Sequence, residues 1–211
     1  MQTDFSQNTI HAALQQNDPE LFWWRRWAKR AATGVLLSND KAITGGDGTH
    51  VLLMKRAERP GDPWSGDMSF PGGRMEPNDQ IIYTTVLREY EEEVGFSLAD
   101  GANYLGRLPD TQARPLRWNN RPFVVSTFVF WQTAIPEFQP DPVEVADLVW
   151  LPLDFLADRK NRETMVWRRQ DMEVELPCYW YGEYRLWGLT LRMLDEFMYI
   201  LQKGENSTGR G

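Results

Sequence analysis

Residues 80–96 constrain this chain more than any other stretch. Placed on a helix at about 100° per residue with Glu89 at zero, Val86, Tyr90, Val94, Leu87 and Tyr83 fall between roughly 60° and 160°. That is a continuous apolar face, and it demands a core to bury it. Glu93 falls at about 40° and Glu92 at about 300°, so with Glu89 they form an acidic arc on the border of the buried face; Glu91, at about 200°, points elsewhere. Gly95 stands where a helix end favours glycine. The arc is costly. Like charges three and four residues apart destabilise by roughly 0.2–0.5 kcal/mol per pair. Carboxylates in a last helical turn also face the negative end of the macrodipole, at about 0.3–1 kcal/mol each. A hard divalent cation, which takes oxygen ligands, would reverse both penalties. A solvated acidic face is the competing reading.

Upstream, Ser69-Phe70-Pro71-Gly72-Gly73 places side-chain-free backbone after a strand, where something must approach closely. Together the glycine pair and the acidic arc make a loop–helix unit able to hold a metal and a phosphate. Around it, residues 34–38, 51–55, 123–132, 147–151 and 172–181 read as strands, rich in β-branched and aromatic residues or bounded by turn formers. Helices are expected over 80–94, 153–160 and 187–203, the last with Gly204 as terminator. Intermingled strands and helices predict an α/β (α+β) class with a mixed sheet. Residues 8–32 also read as helical, with Asp18-Pro19-Glu20 starting a second half. The expected organisation is an N-terminal helical arm over 1–32, a main domain over 33–204 and a flexible tail over 205–211.

Composition excludes several function classes. One cysteine, Cys178, leaves no internal disulfide and no cysteine-based zinc site, and suits a reducing compartment. Two histidines, His11 and His50, lack paired ligands, and surface positions are expected for both. A Ser-His-Asp site has no G-x-S-x-G sequence to support it, and no P-loop motif exists. The formal charge of −7 argues against nucleic acid as a partner, because phosphate-backbone binding relies on clustered Lys and Arg. No run reaches the roughly 18 apolar residues of a membrane span, and residues 1–20 lack a signal-peptide pattern. The expectation is a cytoplasmic protein with no membrane partner. In the arm, Trp23, Trp24 and Trp27 alternate with Arg25, Arg26, Lys29 and Arg30. This pattern suits an amphipathic helix packed on the main domain, as the favoured reading, or else a platform for nucleotide bases, a membrane-surface contact or a homodimer interface.

Arg88, Glu89, Tyr90, Glu92, Glu93, Gly95 and Phe96 resemble the second half of the Nudix hydrolase box, G-x5-E-x7-R-E-U-x-E-E-x-G-U, with U a bulky apolar residue. In the first half the glycines sit two residues early: the box glycine position is Arg74 and its first glutamate position is Gln80. That spacing, with Phe70-Pro71-Gly72-Gly73, Glu76-Pro77, Asp79 and Thr85, is similar to the coenzyme A pyrophosphatase branch of the family. Upstream, Leu52, Leu53, Arg56, Ala57 and Gly66 match that branch; Met54 replaces a threonine, and Arg59 is the nearest substitute for its second arginine. Later blocks begin at Pro122, Glu144 and Leu186.

The resemblance implies a Nudix-type α/β/α sandwich and metal-dependent hydrolysis of a diphosphate in a small-molecule nucleotide. Coenzyme A or its thioesters are the favoured substrates; ADP-ribose, an NDP-sugar or a dinucleotide are the alternatives, and a non-catalytic nucleotide-binding regulator is a further one. On the matching positions, Glu89 and Glu93 are the expected ligands of Mg²⁺ or Mn²⁺, and the Gly72 carbonyl could complete the shell. Glu92 is a third ligand or the group that orients or deprotonates the attacking water. Arg88 orients the carboxylates by charge-assisted hydrogen bonds. Arg56, Arg59 and Gly73 are the expected substrate contacts. Glu137 and Glu144 are candidate bases outside the box, set aside here because an exposed loop acid is as good an account of Glu144.

Overall fold

A computed structural model describes residues 3–62, 64–113, 123–134, 137–169 and 172–208. Pro122 and the last three residues of the expected tail lie outside the described residues. In chain order the elements are α1 (Gln7–Gln16), a 3-10 turn (Trp23–Trp27), β1 (Lys29–Ser38), α2 (Lys41–Thr44), β2 (His50–Arg56), β3 (Met68–Ser69), β4 (Gly72–Arg74) and α3 (Ile82–Val94). Then come α4 (Leu98–Gly101), β5 (Ala102–Arg107), β6 (Thr111–Ala113), β7 (Phe123–Gln132), β8 (Val145–Pro152), α5 (Leu153–Ala157), β9 (Arg162–Arg169), β10 (Met172–Tyr181), β11 (Tyr184–Trp187) and α6 (Gly188–Thr208).

The main sheet is mixed, with the central order β3-β2-β1-β7-β5; β4 pairs with β1, β6 with β7 and β8 with β2. Strand β1 runs parallel to β7, from Lys29↔Phe123 to Leu37↔Trp131, and antiparallel to β2 and β4. Alternation along these strands feeds two cores. Ala31, Val35 and Leu37 join Val51, Leu53, Val125, Val129 and Trp131 under α1, α6 and the smaller sheet β11-β10-β9. Ala32, Leu36, Leu52, Phe128 and Phe130 face the other way, where Ile82, Val86, Tyr90 and Val94 of α3 cover them. A sheet with helices on both faces is the sandwich expected.

The strands expected over 123–132 and 172–181 and the helix over 80–94 are present, the latter starting at Ile82. The helix expected over 8–32 is not. It ends at Gln16, and its second half divides into the 3-10 turn and the start of β1. Trp23 and Trp27 are 78% and 54% exposed and pack edge-to-face on each other, so no core contact sustains a helix there. Meanwhile the backbone from Lys29 onward is claimed by pairing with β7, and tertiary pairing overrides local propensity. At the other end α6 does not stop at Gly204 but continues to Thr208, into the segment expected as a flexible tail. The glycine serves close packing instead: a Cβ at Gly204 would stand 2.9 Å from the Cβ of Ala13 on α1. His50 is buried at 3%, not on the surface, with its Nδ1 3.0 Å from the Gly48 carbonyl oxygen. No helix among the described residues is long and apolar enough to cross a membrane.

The contact between α3 and β1 sets where the acidic arc lies. Tyr90 is fully buried, and its hydroxyl donates to the Gly34 carbonyl at 3.0 Å. A Cβ at Gly34 would stand 2.5 Å from the Tyr90 ring and 3.0 Å from Val86. Overpacking of this kind costs about 1–3 kcal/mol. Gly34→Ala is therefore expected to lower the unfolding free energy by that amount, read as a lower urea midpoint at an unchanged slope; a midpoint within error of wild type would refute the packing.

Candidate active site

The glycine pair and the C-terminal half of α3 meet across β4. Gly72 pairs with Thr33 and Gly73 with Ala32, so this loop is stitched onto β1. Gly72 adopts φ 145°, and a Cβ there would overlap the Ala32 carbonyl, so only glycine fits. A Cβ on Gly73 would overlap the Glu89 carboxylate. Its absence lets that carboxylate lie directly on the backbone. Gly72 N–H donates to Glu93 Oε2 at 2.6 Å. Gly72 thus meets the cluster through its N–H.

The three glutamates are graded from core to solvent. Glu93 is 3% exposed, the Glu89 side chain 13% and the Glu92 side chain 58%. The arc expected at the border therefore reaches into the interior at Glu93. Burial, with Glu89 and Glu144 as like charges, pushes the Glu93 carboxyl up to about 8, against the opposing Gly72 N–H and the Arg56 charge. Burial likewise raises Glu89, and Arg88 opposes the rise.

Arg88 organises the outer part of the site. Its guanidinium donates to Glu89 Oε1 at 2.9 Å, Glu92 Oε2 at 2.7 Å, the Arg74 carbonyl at 3.0 Å and both Asp79 oxygens at 3.1 and 3.2 Å. Asp79 is buried and also accepts from Glu76 N–H and the Thr85 hydroxyl. The Arg88 hydrogen bonds hold its carboxyl below the usual carboxylate range. Asp79 was not among the expected site residues. Its signal was the match of Asp79 and Thr85 to the branch spacing, which described a pattern without a role.

Arg56 lies at the end of β2, within electrostatic reach of Glu93, and pairs with Asp62 at 2.7 Å. Arg59 is drawn to Glu144 at 3.3 Å and donates to the Val143 carbonyl. Glu144, set aside at the sequence level, is thereby held where its charge is felt by both Glu89 and Glu93. The Ala57 N–H donates to the Glu144 carbonyl, which fastens the two loops.

Among the described residues, no three carboxylate, imidazole or thiol side chains form a ready-made metal cage. The donor chemistry nevertheless fits a hard cation. Glu89 and Glu93 are oxygen donors partly stripped of water, their charges repel, and Mg²⁺ normally takes only one or two carboxylates along with waters and substrate phosphates.

Residues 28–171 match the NUDIX domain, and this chain belongs to the Nudix family. Over 156 residues it is 30% identical to the mitochondrial coenzyme A diphosphatase NUDT8 of Homo sapiens, covering 73% of this chain and 64% of that protein. Over 152 residues it is 27% identical to a Nudix hydrolase, NudL, of Photorhabdus laumondii, covering 72% and 78% of the two chains. The chain thus spans a little under two thirds of the human relative's length. Among solved structures, the Ap4A hydrolase of C. elegans in a binary complex aligns with a TM-score of 0.48 at 15% identity, over 61% of this chain and 82% of that one.

The raised Glu93 carboxyl has a defined effect on stability. Its folded value lies above the unfolded one, so its contribution is fully present below about pH 4.5 and is lost as pH rises through about 8. In metal-free buffer, the melting temperature of Glu93→Gln relative to wild type is expected to climb across that window. A difference that stays flat with pH would show that Glu93 titrates normally.

Proposed function

We propose that this protein is a metal-dependent pyrophosphohydrolase that cleaves the diphosphate of a nucleotide derivative, with coenzyme A or its thioesters as favoured substrates. One observation carries the reading: Glu89 and Glu93 lie together on the bare backbone of Gly72 and Gly73, Glu89 held by Arg88 and Glu93 by the Gly72 N–H, within a family-matching box. An acidic interaction surface does not need its carboxylates buried against each other. The likeness to the human coenzyme A diphosphatase and the spacing of Phe70 to Gly73 support the substrate class.

In this reading Glu89 and Glu93 hold Mg²⁺ or Mn²⁺, which when bound neutralises charge on the phosphate oxygens. Glu92, exposed and tethered by Arg88, is the third ligand or the group that orients and deprotonates the attacking water. Water adds to one phosphorus, the bridging P–O bond breaks, and the leaving phosphate departs on the other half of the molecule. Arg88 keeps the carboxylates in register, and Asp79 fixes Arg88 from behind. Arg56 and Arg59 stand on the rim, where exchange of their present carboxylate partners for substrate phosphate would neutralise its charge.

Product analysis with Mg²⁺ or Mn²⁺ over coenzyme A, acetyl-coenzyme A, ADP-ribose, UDP-glucose and diadenosine polyphosphates tests this. Formation of 3′,5′-ADP and 4′-phosphopantetheine from coenzyme A is expected, reduced about 100-fold or more in Glu93→Gln and Glu92→Gln. Turnover of another member only would discard coenzyme A. Tight binding without any turnover would assign a regulatory role instead. Gly73→Ala gives an independent check: the nearest atoms its Cβ meets are the tip of the Glu89 side chain, so stability should change by less than about 1 kcal/mol while activity falls sharply. Full activity in that variant would contradict the placement of Glu89.

A further inference from the structure

The basic residues of the arm converge on the sheet in a way the reaction above does not use. Asp110, whose side chain is fully buried, accepts from Arg107 at 2.7 Å, Arg25 at 3.4 Å, the Ser126 hydroxyl at 3.0 Å and the Phe22 N–H at 3.1 Å. Arg30 points toward the same place. By strand alternation it shares the α3 face of β1 with Ala32 and Leu36, as Ser126 shares that of β7 with Phe128. Arg107 stands over the Phe128 ring at 5.3 Å. Two guanidinium groups thus pair with one carboxylate, and the third, Arg30, lies within its electrostatic reach. The Arg30 side chain makes no hydrogen bond or ion pair among the described residues, and its Nε, like that of Arg107, is buried without a partner. Burial and the Arg25 charge depress the Arg30 guanidinium from its ordinary value, so the group is uncomfortable as it stands.

We propose that Arg25, Arg30 and Arg107 form a binding site for a phosphate monoester, built where the arm crosses the sheet. A carboxylate ligand would leave this cluster positive, since three cations face one Asp110. A phosphate monoester carries about −1.5 to −2 charge at neutral pH and three acceptor oxygens, which matches the excess and the guanidinium forks. The position suits the far end of a nucleotide. Arg30 lies two residues, about 7 Å, along β1 from Ala32, which pairs with Gly73 beneath the Glu89 carboxylate. The monoester has two sources: a nucleotide substrate or product, which rests on the pyrophosphohydrolase reading, or inorganic phosphate, which does not.

Calorimetric titration without metal separates them, using adenosine 3′,5′-bisphosphate, adenosine 5′-monophosphate and inorganic phosphate on wild type, Arg30→Gln and Arg25→Gln. The bisphosphate is expected to bind about tenfold or more tighter than the monophosphate, with the preference collapsing in Arg30→Gln and shrinking in Arg25→Gln. Arg30→Gln should melt at or above the wild-type temperature, because it removes an unpaired cation; a purely structural arginine would melt lower. Equal binding of the two nucleotides, with inorganic phosphate bound by wild type and not by Arg30→Gln, would keep the site and assign it to the free ion. A bisphosphate preference that survives in both variants, or wild type that neither prefers the bisphosphate nor binds phosphate, overturns the proposal. Because the readout is binding, loss of hydrolysis and loss of this site are seen separately.

Discussion

A carboxylate kept from water beside a second carboxylate is the constraint around which this molecule is arranged. Glu93 is buried at the end of α3 and meets the Gly72 N–H at 2.6 Å, while Glu89 lies against Gly73. Neither position is favourable for an unpartnered anion. Desolvation and mutual repulsion both act against it, and the helix end adds the negative pole of its dipole. The rest of the fold supports this placement. Tyr90 locks α3 onto Gly34 of β1, the pairing of β4 with β1 fixes the glycine pair, and Asp79 with Arg88 holds the outer carboxylates.

Much of this was legible in the sequence because the relevant signals are local. Helical spacing placed Glu89, Glu92 and Glu93 together, and Gly95 ends α3 with φ 67° and its N–H on the Glu91 carbonyl. The long apolar run over 123–132 became β7, which lies between β1 and β5 in the main sheet. What helical geometry left open was absolute depth. Spacing ranks Glu93 nearest the apolar face and Glu92 farthest from it, but the strand and glycine loop beneath decide that Glu93 is fully enclosed.

The failures were nonlocal in origin. Tryptophans and arginines over 21–32 have a helical rhythm, yet parallel pairing with β7 recruits Lys29 and Arg30 into the sheet. Gly204 carries the mark of a helix terminator, yet its missing side chain admits Ala13 of α1. Asp79, Glu144 and Asp110 acquire meaning mainly through partners outside their own element: Arg88, Arg59 with the glutamate pair, and Arg25 of the arm beside the nearby Arg107. No pattern within a helical turn or a strand would have announced those pairings.

In the proposed reading the Glu89–Glu93 pair receives a divalent cation. Electron paramagnetic resonance of Mn²⁺ binding, between about pH 6 and about 8, tests it without reference to any substrate. A site whose affinity rises with pH is expected, because the cation must displace the proton that burial places on Glu93, and Glu93→Gln should weaken it by about tenfold or more while abolishing the pH dependence. Mn²⁺ affinity that is flat with pH and unchanged in Glu93→Gln would contradict it.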